Sequence, residues 1–309
     1  MIINLTEGFE PFGEGDIEFE EMVFPSGVEP HIKVDSFYSS WDWTTVYERS
    51  NGEEIQVQAL ITIRIESMID VIRLFLATDA VRRNITKDIG VFFPYVPFAR
   101  QDRFMVEGEP FSLKVFADLI NSQNYSWVGF YDVHSDVTSA IINNSYNFTN
   151  KGLWESVLTD AWRQSNSTDR ALEYYVCSPD AGASKKIGKL VESVRPLPID
   201  IIQCNKTRDL STGKITGLTV SHSDLGGKDV YIVDDICSKG GTFMMIAKKL
   251  RELNAGKIYL VVSHWENSAK IGELYDSGIE RVYTTNSMRD INSALAYERF
   301  QQYKLEDIL

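Results

Sequence analysis

The chain has 309 residues, 43% of them hydrophobic and 24% charged, with a formal net charge of −13. At roughly 150 residues per domain this predicts two domains, each with its own core, and the composition excludes disorder as the main state. The acidic balance argues against broad nucleic-acid binding, which needs Lys and Arg in excess, yet leaves room for a small anionic substrate held by a few local cations.

Cys177, Cys204 and Cys237 are widely spaced. An odd count with no CxxC pair supports neither a disulfide framework nor a zinc knuckle, so small buried thiols in a reducing compartment are expected. The opening MIINLTEGFEPFGEGD is acidic and lacks the basic and apolar regions of a signal peptide. No apolar run approaches the ~20 residues of a membrane helix. The expectation is a soluble cytoplasmic protein with neither membrane nor nucleic acid as partner.

The first 60 residues read as β-rich, punctuated by Gly8, Gly13, Gly15, Pro25, Gly27 and Pro30. Trp41-Asp42-Trp43 within them has no assignment. Ser67 and Asp70 have the spacing of a helix cap, and Met68, Val71, Ile72, Phe75 and Leu76 follow the helical period, which predicts a helix from Ser67 to about Arg83. Gly90 to Pro94 reads as a strand, Tyr95 to Phe111 as a long polar loop, Ser112 to Asn121 as a helix and Trp127 to Tyr131 as a strand. The second half repeats this plan. Strands are expected at Tyr174 to Cys177, Ile199 to Gln203, Val230 to Val233 and Ile258 to Val262. Helices are expected at Lys185 to Glu192, stopped by Pro196 and Pro198, and at Thr242 to Leu253, with Phe243, Ile246, Ala247, Leu250 and Leu253 on the buried face. The alternation implies two doubly wound α/β domains with mainly parallel sheets. They are expected at 1–145 and 146–290, with 291–309 a helix returning to the first domain.

In such sheets ligands sit beyond the carboxyl ends of the strands, so the loops there carry the chemistry. In YIVDDICSKGGTF, Asp234 and Asp235 can accept hydrogen bonds from neighbouring sugar hydroxyls. Gly240 and Gly241 permit a tight turn, and Thr242 opens a helix whose N-terminus favours phosphate. The same residues also read as an acidic strand end followed by a glycine turn. In FFPYVPFARQDR, Arg100 and Arg103 suit phosphate oxygens or stacking on a base, and Gln101 can meet a base edge; a solvated charged loop is the alternative. In YDVHSD, Asp132, His134 and Asp136 would share one side if the segment is extended. Magnesium prefers oxygen, so His134 suits a phosphate or a metal-bound water better than direct ligation, and a structural role stays open. Asp180, in SPDAGASKK, stands at a strand end before a helix and can hold a metal or its water, or simply form a turn. In NKTRD, Lys206 and Arg208 read as a mobile cationic loop able to close on a polyphosphate, or as an exposed basic turn.

Together and in this order, FARQDR, GEPFSLKVFADLIN, DVHSDVTSA, SPDAGASKK, the VDD…GGT loop and SHWENSAKIG resemble the ribose-phosphate diphosphokinase (PRPP synthetase) family, in a divergent branch that includes phage-encoded members. The resemblance runs from about Phe24 to about Arg289. It implies two tandem type I phosphoribosyltransferase-like domains. It also implies Mg²⁺-assisted transfer of a diphosphoryl group from ATP to ribose 5-phosphate, giving AMP and 5-phosphoribosyl 1-diphosphate. By the same resemblance Arg100, Gln101 and Arg103 lie at the nucleotide, with Phe24 and Glu29 supplied by a neighbouring subunit of a dimer-based, hexamer-forming homo-oligomer. Asp234 and Asp235 hold the ribose hydroxyls, and Ser238, Lys239, Gly240, Gly241 and Thr242 surround its phosphate. His134 and Asp180 match magnesium-associated positions, and Lys206, Arg208 and His134 match catalytic ones. Ser238 stands where the family often has an acid, Lys239 replaces a small residue, and FPSGVEPHI is one residue longer than the usual loop. A type I phosphoribosyltransferase and a non-catalytic regulatory subunit of the same fold are the alternatives.

Overall fold

Apolar runs without alternation become central strands buried on both faces. The computed structural model of the chain describes every residue except 26, 28, 35–43, 49–53, 165–173, 194–199, 209–214, 267, 269 and 292–298. Trp41-Asp42-Trp43 and the Pro196–Pro198 helix stop therefore lie outside the described residues. Two compact units divide the chain. One holds Met1–Thr149 with Ser287–Arg289 and Leu309, the other Asn150–Asn286 with Asp290–Ile308.

The first unit contains β1 (Ile2–Asn4), β2 (Phe19–Val23), β3 (Pro30–Val34), β4 (Thr44–Glu48), β5 (Glu54–Val57), β6 (Ala59–Thr62), α1 (Met68–Asn84), β7 (Ile89–Phe92), α2 (Ser112–Asn121), β8 (Trp127–Tyr131), α3 (Asp136–Ile141) and β9 (Ser145–Phe148). Its main sheet is parallel, in the order β1-β6-β7-β8-β9. Every residue of β6, β7 and β8 is buried. The pairs β2–β3 and β4–β5 are antiparallel hairpins.

Helix α1 starts where its cap spacing predicts. The Asp70 carboxylate accepts the Ser67 N–H at 2.8 Å and the Ser67 hydroxyl at 2.9 Å, closing the capping box. Its buried face differs from the expected one. Val71, Leu74, Ala77, Thr78 and Val81 face the core, while Met68, Ile72 and Leu76 are exposed. The helix is apolar on both sides, so periodicity could not choose between them. The polar member of the buried face is satisfied: Thr78 donates to the Leu74 carbonyl at 2.7 Å and accepts from the Tyr125 hydroxyl at 2.8 Å.

The second unit contains α4 (Lys151–Gln164), β10 (Tyr174–Ser178), α5 (Ala181–Ser193), β11 (Asp200–Arg208), β12 (Ile215–Val220), β13 (Asp229–Cys237), α6 (Gly241–Glu252), β14 (Ile258–Trp265), α7 (Ile271–Asp276), β15 (Ile279–Thr285), β16 (Phe300–Tyr303) and a 3₁₀ turn (Leu305–Asp307). Its seven strands run β12-β11-β10-β13-β14-β15-β16, parallel except at the β11–β12 pair. One face of this sheet is aromatic. Tyr231 stacks on Tyr259 at 4.7 Å, Trp154 meets Tyr231 edge-on at 5.4 Å, and Tyr283 stacks on Tyr303, whose hydroxyl donates to Asp160.

Four expectations need correction here. Helix α5 begins at Ala181, four residues earlier than expected, because the Asp180 carboxylate accepts the Ala183 N–H at 3.0 Å and starts the helix. Strand β11 continues through Asn205 to Arg208, where a loop was expected, because β12 supplies an antiparallel ladder partner. Strand β13 likewise extends through Asp234 and Asp235 to Cys237. Among the described residues of the tail, Phe300–Tyr303 is a strand where a helix was expected: it pairs with β15 in the second unit, and Phe300 packs edge-on against Trp265 at 5.1 Å.

Gly129 lies beneath the Trp127 indole, two residues away on the same face of β8, and a Cβ there would fall 2.1 Å from a ring carbon. Gly129→Ala is expected to lower stability by about 1–3 kcal/mol through overpacking, read as a drop in the urea midpoint at unchanged m-value.

Candidate functional site

The loop after β7 carries FARQDR. Phe98 has a φ of 63°, a left-handed conformation that costs an L side chain free energy. The Gln101 N–H donates to its carbonyl at 2.8 Å, and its ring packs near Phe116 at 6.3 Å. This tight turn leaves Arg100 and Gln101 exposed and turns Asp102 inward. Asp102 accepts Arg103 Nε at 2.8 Å and Nη2 at 2.9 Å, a bidentate pair between sequence neighbours. That pair holds the Asp102 carboxyl down at about 2, against the opposing effect of burial and with smaller contributions from Ser135 and His134 nearby. The loops after β7 and β8 thus meet at Asp102, a residue given no role from sequence.

The loop after β8 is not extended. Asp132 has a φ of 47° and is buried, whereas His134 and Asp136 are exposed. The three side chains therefore do not share one side. The left-handed residue turns the chain, and Asp136 already begins α3. The Val133 N–H, donated to Asn147 Oδ1 at 3.1 Å, fixes the turn just before His134. Phe24 and Glu29 flank the β2–β3 turn, joined by a backbone hydrogen bond of 3.0 Å, and both side chains are exposed.

In the second unit the site is built at the carboxyl ends of β10, β11 and β13. Lys206 extends from β11 and donates to Asp180 Oδ2 at 3.2 Å, with only 8% of its side chain exposed against 46% for Asp180. Burial alone would raise the Asp180 carboxyl, but the Ala183 N–H and the Lys206 ammonium hold it below the ordinary value. Asp234 is pushed well above the usual carboxylate range, first by burial and then by Asp235 beside it, with Asp180 adding to the effect. Arg208 is the last residue of β11; the rest of the expected cationic loop, 209–214, lies outside the described residues.

After β13 the chain turns through half-buried Ser238 and exposed Lys239 to Gly240. Gly240 has a φ of 80°, and a Cβ there would lie 3.0 Å from Leu274, so conformation and space both require glycine. Gly241 and Thr242 open α6, which among the described residues has no side-chain cap. Its first N–H groups point to where an anion would bind.

The donor set here is carboxylate oxygen, and a hard divalent cation would relieve the repulsion between Asp234 and its acidic neighbours. Among the described residues no three His, Cys, Asp or Glu side chains converge into a cage. A bound magnesium would therefore keep water or substrate oxygens as its remaining ligands.

Because the folded-state carboxyl of Asp102 sits below its ordinary 3.8, its stabilising contribution is complete above about pH 4 and is lost as pH falls through about 2. Asp102→Asn is expected to be less stable than the parent at pH 7 and to flatten that acid limb, as read by urea unfolding at stepped pH.

Residues 44–123 match the family model described as the N-terminal domain of ribose phosphate pyrophosphokinase. A ribose-phosphate pyrophosphokinase of Pyrococcus abyssi is 27% identical over 270 residues, covering 87% of this chain and 86% of the relative. One from Mycoplasma pneumoniae is 29% identical over 220 residues, covering 70% of this chain but only 64% of the relative, less than two thirds of its length. The crystal structure of phosphoribosylpyrophosphate synthetase from Mycobacterium smegmatis superposes with a TM-score of 0.66 at 20% identity, covering 87% of each chain. Over most of its length this chain is similar in sequence to ribose-phosphate pyrophosphokinases, and it shares the fold of phosphoribosylpyrophosphate synthetase.

Proposed function

We propose that the protein is a ribose-phosphate diphosphokinase, converting ATP and ribose 5-phosphate to AMP and 5-phosphoribosyl 1-diphosphate. The observation that carries this reading is the grouping in the second unit. A buried lysine paired to Asp180, the Asp234–Asp235 carboxylates and the uncapped start of α6 all stand at the carboxyl edge of one parallel sheet. A ribose phosphate needs a diol acceptor and an anion cradle, and the transferred group needs a nearby cation.

In this reading Asp234 and Asp235 accept the ribose hydroxyls, while Ser238, Lys239, Gly240, Gly241 and Thr242 surround the 5-phosphate. The anomeric oxygen attacks the β-phosphorus, the bond from that phosphorus to the α-phosphate oxygen breaks, and AMP leaves. Such transfer depends on positioning and on neutralising oxygens rather than on a covalent intermediate. Lys206 and Arg208 stabilise the transferring charge, and leaving its Asp180 contact for the phosphates lets Lys206 do so only when substrate is bound. Arg100 and Gln101 hold the nucleotide, with Arg103 oriented by Asp102. Phe24 and Glu29 project from a hairpin tip, a position suited to reaching the nucleotide site of a neighbouring copy in a dimer-based homo-oligomer that assembles to hexamers. Magnesium bound to the nucleotide's phosphates supplies charge neutralisation. Asp180 would be its oxygen donor from the protein, and His134 would meet a phosphate or a water held by the metal. A cytoplasmic location fits these substrates, and no helix among the described residues is long and apolar enough to cross a membrane.

Purified protein with ATP, magnesium and ribose 5-phosphate is expected to yield AMP and sugar diphosphate in equal amounts, separated by ion-exchange chromatography. Lys206→Ala is expected to cut kcat by about 10²–10³-fold. Folded protein that binds ATP yet forms neither product would replace this reading with a regulatory subunit. Lys239→Ala is expected to raise the KM for ribose 5-phosphate several-fold, the loss of one charge-assisted contact of about 1–2 kcal/mol, while kcat holds; an unchanged KM would mean that Lys239 points to solvent.

A further inference from the structure

Two of the three buried thiols touch. Cys177 on β10 and Cys204 on β11 bring their sulfurs to 3.5 Å, and both are closed to solvent. Cys177 pairs in register with Ile202, and Cys204 lies two residues beyond Ile202 on the same strand. The two thiols therefore share one face of the sheet. Cys237 has no such neighbour among the described residues.

The location matters more than the contact. Lys206 follows Cys204 by two residues on β11, and Asp180 follows Cys177 by three, just past the end of β10. The two sulfurs thus bridge the strands that carry the two halves of the Lys206–Asp180 pair. The proposed reaction gives neither thiol a part.

We propose that Cys177 and Cys204 form an oxidisable pair which hydrogen peroxide closes to a disulfide, thereby disturbing the contact between Lys206 and Asp180. The effect on turnover rests on the diphosphokinase reading; the bond and the displacement do not. The pair is chemically unequal. The Cys177 thiol beside it and the Lys206 ammonium hold Cys204 below the ordinary thiol value, while Cys177 is pushed up. Cys204 is thus the attacking thiolate. Its sulfur takes the distal peroxide oxygen, the O–O bond breaks, and the leaving hydroxide picks up a proton to become water. Cys177 then loses its proton as its sulfur attacks the Cys204 sulfenic acid. The S–S bond forms and a second water leaves. Two thiols lose two electrons, and the peroxide gains them.

A disulfide needs about 2.05 Å between sulfurs, so the strands must draw together beside the site. Strand β10 ends at Ser178, and the adjustment falls on the residues from there to Asp180 and on Cys204 to Lys206.

The test uses the full chain, treated with hydrogen peroxide and then alkylated under denaturing conditions and digested. Mass spectrometry is expected to find the Cys177 and Cys204 peptides joined, two hydrogens lighter than their sum, and separated again by dithiothreitol. Acetic anhydride labelling of the native protein reads the displacement. The rate of Lys206 acetylation is expected to change several-fold in the oxidised form, and AMP formation to fall at least ten-fold and return on reduction. Cys177→Ser, checked for folding by circular dichroism, is expected to keep its activity in peroxide, with Cys177→Ala as the second variant. Both cysteines remaining alkylatable after peroxide would overturn the pair. A joined pair with unchanged Lys206 acetylation would overturn the coupling. If the reduced protein makes no AMP, the functional reading fails, and the two mass measurements still decide this one.

Discussion

A lysine whose side chain is only 8% exposed must have a partner, and in this protein the partner is one carboxylate just past the end of a neighbouring strand. A buried cation without its counter-ion carries a desolvation cost of several kcal/mol. Lys206 therefore ties the geometry of β11 to the first residues after β10. The start of α5 depends on the same carboxylate, since one Asp180 oxygen accepts the helix N–H while the other accepts the lysine. The carboxyl end of the second sheet is thus organised around a single side chain with both oxygens in use. Asp234 and Asp235 lie close enough for Asp180 to disfavour ionisation of Asp234.

The first unit solves a similar problem differently. There the strand-end loops are held by an ion pair between adjacent residues, Asp102 and Arg103, and by left-handed turns at Phe98 and Asp132. The turn at Asp132 directly follows β8 and that at Phe98 lies within the loop after β7; after them His134, Arg100 and Gln101 are exposed. Both devices place charged groups at the sheet edge through backbone conformation, which leaves little freedom to displace them.

Much of this could be read from residues alone. The strand at Trp127–Tyr131 and the helix at Ser112–Asn121 stand where their patterns put them, and the strand expected at Gly90 to Pro94 forms at Ile89–Phe92. Their signals are local: continuous apolarity, or a helical period over one buried face. What escaped depends on partners distant in sequence. Polar Asn205 and Lys206 carry no strand signal, yet β12 pairs with them. Phe300–Tyr303 is short and half polar, and β15 makes it a strand. Helix α1 has apolar residues all round, so its orientation was settled by packing, with Thr78 on the buried side. Of the site, Asp180, Lys206, Asp234 and Asp235 were marked by residue type and by position after strands. The contact between Cys177 and Cys204 had no signal at all, because 27 residues separate them and only the strand order makes them neighbours.

The close approach of Gly152 to Ile308 has a consequence for the timing of folding during synthesis. A Cβ on Gly152 would lie 2.0 Å from the Ile308 carbonyl oxygen, so the first turn of α4 is built to receive a segment made more than 150 residues later. The sheet of the first unit has all its strands once Phe148 has emerged from the ribosome. The second cannot finish its sheet or cover α4 until residues 300–308 are free of the exit tunnel. The two halves therefore mature in sequence, and the aromatic face around Tyr283, which awaits Tyr303, is the part of the newborn chain that needs shielding longest.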